Sequence, residues 1–109
     1  MSLGGLTPED LDTLMEDAFV LRDGGDFAQL FEDMGVLVLG SGRPEARGRE
    51  NIARAAGQVW AQAGRYTARP RRIVQCDDTA LLVGDGAVSV ARRGRDRSWR
   101  FAISLLGPG

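Results

Sequence analysis

The apolar positions of this chain follow a helical period in its first half and a two-residue period in its second. Leu11, Leu14, Met15, Ala18 and Leu21 recur at three- and four-residue spacing, which makes one stripe of an amphipathic helix. Thr7 suits the N-cap, Pro8 the first helical position, and Asp10 falls where a capping box needs an acceptor. Glu9, Asp10 and Asp12 complement the helix dipole. Asp23–Gly25 predicts a stop. Asp26 is then expected to cap a short second helix with Phe27, Leu30 and Phe31 turned inward and Gly35 as its end. Val36–Leu39 reads as a short buried strand, and Gly40–Glu45 as a loop. A third helix is expected from about Arg49 to Ala63, with Ile52, Ala56, Val59, Trp60 and Ala63 on one side. Gly57 inside it costs about 1 kcal/mol relative to alanine, which predicts a close neighbour.

Beyond Ala63 the pattern is that of strands. Arg65–Cys76 reads as one long strand whose Pro70 implies an edge or a bulge. Asp77–Asp78 marks a turn. Thr79–Gly84 and Ala87–Arg92 read as a hairpin joined through Asp85–Gly86. Arg93–Arg97 is the next turn. The last strand runs over Ser98–Leu106, with Trp99, Phe101, Ile103 and Leu105 on one face and Arg100, Ala102 and Ser104 on the other. The order α-α-β-α-β-β-β-β predicts an α+β fold in which three N-terminal helices pack in the concave face of a curved antiparallel sheet. A single domain is expected over residues 6–106, preceded by a disordered start or cloning remnant at 1–5.

Composition narrows the chemistry. With 43% apolar and 27% charged residues, the chain is that of an ordinary globular domain. No apolar run approaches the roughly 20 residues of a membrane span, and the opening residues are too short and weakly apolar for a signal peptide, so a cytoplasmic location is expected. There is no histidine, which removes the commonest general base and metal ligand. The single cysteine, Cys76, forms no intrachain disulfide or cysteine metal site and reads as a small buried apolar residue. No cofactor is expected. All 14 basic residues are arginine, which excludes lysine nucleophiles. Residues 1–50 carry 11 acids and 4 arginines, and residues 51–109 carry 4 acids and 10 arginines. That asymmetry is read as mutual attraction between parts of the fold or of a dimer, rather than as a nucleic-acid surface. The arginines around Pro70 (Arg69, Arg71, Arg72) and at 92–97 are read as a solvated strand edge and turn.

Four stretches carry a resemblance: "RDGGDFAQLFED", "RPEARGRENI", "DDTALLVGDG" and "RSWRF". In this order and spacing the chain resembles the nuclear transport factor two-like superfamily, which includes ketosteroid isomerase and the SnoaL-like polyketide cyclases. The resemblance implies a cystatin-like cone of bent sheet around a long first helix, with a cavity between helices and sheet. Enzymes of the isomerase type use an Asp base at the end of the first strand, and a Tyr with a protonated Asp to hold the enolate oxygen. Alignment outward from "GGDF" and "GRENI" places the base position on Leu39, the oxyanion Tyr on Ala18, two supporting tyrosines on Phe31 and Ala56, and the oxyanion Asp on Ser89. A positioned base is worth about 10²–10⁴ in rate and one oxyanion donor about 10²–10³, so that reaction does not carry over.

The expected cavity is therefore apolar, lined by Ala18, Leu39, Ala56, Trp60, Tyr66 and Ser89. The leading expectation is a domain that binds a small apolar ligand or serves as a non-catalytic accessory, paired as a homodimer through the sheet. One alternative is a cyclase, isomerase or dehydratase that uses an unplaced acid or Tyr66, recognisable by a carboxylate inside the cavity with a raised pKa. The other is a structural dimerisation module.

Overall fold

The structure, a computed structural model, describes residues 4–40, 44–63, 66, 70 and 72–107. Helix α1 (Pro8–Leu21) starts as the sequence predicts: the Thr7 side chain accepts from the Asp10 amide at 3.0 Å, and Asp10 accepts from the Leu6 amide at 2.9 Å. Leu11, Met15 and Ala18 are buried, whereas Leu21 is exposed. The helix stops on Arg22 in the left-handed region, φ 53°, so Gly24 and Gly25 are free to begin helix α2 (Gly24–Gln29). Asp23, not Asp26, caps α2, accepting from the Asp26 amide at 2.9 Å. Gly24 lets α2 approach the next helix: a Cβ there would lie 3.2 Å from the Ala56 methyl and 3.2 Å from the Ala53 carbonyl.

Strand β1 (Phe31–Leu39) begins five residues earlier than the apolar run suggests. Phe31 belongs to it rather than to α2, and its ladder is irregular between Phe31 and Val36. The reason is tertiary: the Leu30 carbonyl accepts from the Phe101 amide at 2.8 Å, so the chain enters the sheet as soon as α2 ends. A two-residue strand, β2 (Ala46–Arg47), follows where the sequence pattern gives no strand signal. Helix α3 (Arg49–Ala63) has the predicted bounds, with Ile52, Ala56 and Val59 buried. The predicted close neighbour of Gly57 is absent: a Cβ there would meet open space. Strand β3 (Arg72–Cys76) is shorter than predicted. Tyr66 and Pro70 are not in a strand, and the rest of the predicted Arg65–Arg71 segment lies outside the described residues. Strands β4 (Thr79–Val83), β5 (Ala87–Arg93) and β6 (Trp99–Leu106) match their predicted positions.

The six strands form one sheet in the order β2-β1-β6-β5-β4-β3. It is mixed, not antiparallel throughout: β1 and β6 run parallel, because the chain crosses over from one to the other through α3 and the β3–β5 meander. Ala102 is skipped in the β5–β6 ladder, where Ala91 pairs with Phe101 and Val90 with Ile103. This bulge reverses the predicted alternation of the last strand. Trp99 and Phe101 point inward, but beyond Ala102 it is Ser104 and Leu106 that are buried, while Ile103 and Leu105 are 47% and 39% exposed.

The core joins α1, α2 and α3 to the buried face of the sheet. Aromatic rings run through it: Phe19 meets Phe27, Phe27 meets Phe31, and Phe31 meets Phe101, with centroids 6.1, 5.4 and 5.6 Å apart. Met1–Leu3, the opening part of the expected disordered start, lie outside the described residues. Gly5 in that start pairs with Trp99 through two backbone hydrogen bonds of 2.9 and 2.7 Å. Cys76 is exposed, not buried, because it ends edge strand β3 beside the Asp77–Asp78 turn.

Candidate functional site

A cavity of about 250 Å³ opens between α3, β1 and the Pro44–Ala46 segment. Leu37 and Leu39, consecutive inward residues of β1, are 1% and 6% exposed. Ala46 pairs with Leu37 across β1 and β2, so it extends the same wall. Ala55 and Gln58, three residues apart on α3, face the cavity opposite the strand. Pro44 completes the lining. Among the described lining residues every side chain is apolar except the Gln58 amide, and none is ionisable. Leu39 thus lines a hollow at the end of β1.

The other residues expected to line one cavity lie elsewhere. Ala18 is buried in α1. Ala56 is buried on the opposite side of α3, against Gly24 of α2. Trp60 and Tyr66 are brought together by the Phe19 ring, at centroid distances of 5.0 and 5.3 Å. Ser89 is directly opposite Ser104 in the β5–β6 ladder, and the two buried hydroxyls hydrogen-bond to each other at 2.8 Å. None of these five is among the lining residues of the Leu39 cavity.

A second polar feature joins a predicted site residue, Tyr66, to Asp12, which is not among the predicted site residues. Asp12 is buried, 3% exposed, and accepts a hydrogen bond from the Tyr66 hydroxyl. Burial pushes the Asp12 carboxyl above its ordinary range; the bond from Tyr66 opposes that shift, and the nearby Glu16 carboxylate adds to it. The Tyr66 hydroxyl is also raised, by burial first and then by the hydrogen bond and charge of Asp12. No arginine pairs with Asp12 among the described residues. The spacing that signals its burial is in the sequence: Asp12, Met15 and Phe19 fall on one helical face.

The arginines mostly hold structure. Arg92 grips Glu32 with two hydrogen bonds, 3.1 and 2.6 Å, joining the basic half of the chain to the acidic half. Arg93 pairs with Asp78, and Arg49 pairs with Asp33 while donating to the Phe31 carbonyl at 2.9 Å. Arg69 and Arg71, read as a solvated edge, lie outside the described residues. No cluster of histidine, cysteine or acidic residues able to hold a metal occurs among the described residues.

Comparison with family models and with curated proteins finds no match. Solved structures do match. A ketosteroid isomerase-like protein from Erwinia carotovora atroseptica is similar at a TM-score of 0.71 and 20% identity, over 89% of each chain. An NTF2-like protein with a cystatin-like fold from Novosphingobium aromaticivorans is similar at a TM-score of 0.69 and 17% identity, over 89% of this chain and 76% of that one. A structure from Catenulispora acidiphila, in complex with S-DNPA, gives 0.65 and 20%, over 86% and 84%. The chain has the nuclear transport factor two-like fold. Within this fold, the three helices and six-stranded mixed sheet of the described residues carry the sequence motifs quoted above. "RDGGDF" is the α1–α2 junction and "RGRENI" opens α3. No helix is long and apolar enough to cross a membrane among the described residues.

Proposed function

We propose that this protein binds a small apolar molecule in the Leu37–Leu39–Ala55 pocket, performs no acid–base chemistry there, and works as a homodimer. One observation carries the reading: Leu39, at the position where an isomerase-like protein needs its base, faces a hollow whose described lining residues include no ionisable group. A structurally similar protein from Catenulispora acidiphila is described with S-DNPA bound, which supports small-molecule binding within this fold. An engineered apolar cavity of about 150 Å³ holds benzene, so 250 Å³ suits a molecule of about two fused rings. 2-Naphthol is a suitable probe. Measurable binding by wild type, lost in Ala55→Leu with an unchanged circular-dichroism spectrum, is the expected result. Equal binding by both proteins, or by neither, overturns the pocket reading.

The dimer proposal rests on the outer face of the sheet. Val74 pairs with Leu81, Leu81 with Val90, Val90 with Ile103, and Ile103 with Val36. A second row runs Val83, Val88, Leu105, Val38. Val74, Leu81, Val88, Ile103 and Leu105 are 39–47% exposed, a contiguous apolar surface of the kind that marks an interface. The second copy seats its own rows on these. Sedimentation should give twice the chain mass for wild type and the single mass for Ile103→Glu/Leu105→Glu; a monomeric wild type refutes the dimer.

A second reading is favoured by Asp12. A buried carboxyl with a raised pKa, bonded to a tyrosine, meets part of what the cyclase, isomerase or dehydratase alternative expects, although Asp12 is not among the lining residues of the Leu39 cavity. Exchange of the α-protons of 2-tetralone in D₂O tests it. Catalysis by wild type and its loss in Asp12→Asn support an enzyme; exchange at the buffer rate refutes it for this substrate class.

A further inference from the structure

We infer that the pocket selects an un-ionised molecule bearing one hydrogen-bonding oxygen, that Gln58 reads that oxygen, and that the charged counterpart of the same skeleton is rejected. The inference rests on the pocket reading and adds its ligand class. Leu37, Leu39, Pro44, Ala46 and Ala55 offer no partner for a charge, and an ion taken out of water without one costs several kcal/mol. Among the described residues, the charged side chains beside the walls are already matched: Glu45 with Arg47 at 2.6 Å, and Arg54 with Glu50 at 2.6 Å. The backbone of the β1–β2 wall is engaged in its own ladder at Val36–Arg47 and Leu37–Ala46. The Gln58 side chain, exposed at the rim, is the polar one among the described lining residues, and its amide can both donate and accept. It therefore serves a ketone or a hydroxyl equally. The floor fixes the skeleton, and the rim fixes which end faces outward.

Three probes of one size separate these claims: naphthalene, 2-naphthol and 2-naphthoate, the last ionised at pH 7. Equilibrium dialysis is run with wild type, Gln58→Leu and Ala55→Leu, with Ala46→Leu as a second pocket-filling variant should Ala55→Leu fold poorly. Wild type should bind 2-naphthol about 2- to 10-fold more tightly than naphthalene, the worth of one net hydrogen bond. That gap should close in Gln58→Leu. 2-Naphthoate should bind at least about tenfold more weakly than 2-naphthol. A gap that survives Gln58→Leu, equal affinity for naphthalene and 2-naphthol, or naphthoate bound as well as naphthol overturns the inference and leaves the pocket reading standing, provided the filled variants lose binding. Absence of binding by every probe, or full binding by both filled variants, overturns the two together.

Discussion

Between α3 and β1 the chain leaves a hollow and lines it with Leu37, Leu39, Ala46 and Ala55, whereas beneath α1 it fills its interior with rings and buries a carboxylate among them. The two regions treat polarity in opposite ways. At the pocket the described walls are apolar, and the polar Gln58 side chain is exposed, where water can satisfy it. At Asp12 the charge-bearing group is inside, and the Tyr66 hydroxyl donates to it. Emptiness costs dispersion contacts on one side of every lining atom, and an occupant restores them. A buried carboxyl costs desolvation, and a hydrogen bond only partly offsets that. Losing an acid at one expected place therefore does not make an interior free of acids. Each site follows from the partners its neighbours supply.

The sharpest way to separate the regions is Phe19→Ala. Phe19 touches Phe27, Trp60 and Tyr66 but does not line the pocket. It should cost about 3–5 kcal/mol in urea unfolding, as large-to-small changes in aromatic cores do. Affinity for 2-naphthol should stay within about twofold of wild type, because direct pocket contacts are untouched. A tenfold loss would mean that the two regions are one.

Leu39→Asp breaks the comparison from the other side by placing an acid in the hollow. It should destabilise by about 2–4 kcal/mol at neutral pH. Burial raises the new carboxyl's pKa, so the folded state holds its proton longer than the unfolded chain does. The deficit is then small below about pH 3.9, grows as pH rises through the folded value, and is constant above it. Urea midpoints from pH 4 to 8 read the trend; a deficit independent of pH would show that the introduced carboxylate reaches water.

Tyr66→Phe should cost about 1–3 kcal/mol, because it leaves a buried acceptor without its donor. The wild-type pair carries its own pH signature. The Asp12 carboxyl is raised in the fold, so its favourable protonated form contributes fully below about pH 3.9 and is lost as pH rises through the folded value. The stability difference between wild type and Asp12→Asn should therefore fall with rising pH and then level off. A difference that rises with pH would assign Asp12 a cationic partner. The smallest effect belongs to Gly57, which lies between core-facing Ala56 and rim residue Gln58 and meets open space. Gly57→Ala should add about 0.5–1 kcal/mol with pocket affinity unchanged.

Much of this fold was legible from local rules. Thr7 and Pro8 start α1, the helical period bounds α3 at both ends, and Asp85–Gly86 turns β4 into β5, because caps, periods and tight turns depend on residues a few positions apart. The start of β1 was not legible: Phe31 suits a helix face as well as a strand, and only the Phe101 amide on the Leu30 carbonyl decides between them. The candidate site was half legible. The burial of Leu39 at the end of its strand follows from the apolar run, but its cavity partners Pro44, Ala46, Ala55 and Gln58 are ordinary loop and helix residues until the chain brings them together. Tyr66 stands out in the sequence without its partner, since Asp12 reads equally well as a residue that complements a helix dipole.

The sequence by itself determined the element types, the α+β class, the lack of a histidine or lysine for chemistry, and the apolar character of the strand that ends at Leu39. Tertiary structure decided the parallel pairing of β1 with β6, the bulge at Ala102 that turns Ile103 and Leu105 outward, the separation of Ala56 and Ser89 from the pocket, and the burial of Asp12. The division has one physical cause. Helix periods and turn preferences are set by sterics along a few bonds, whereas register, facing and burial depend on which distant backbone groups complete their hydrogen bonds and which side chains then share the space between them.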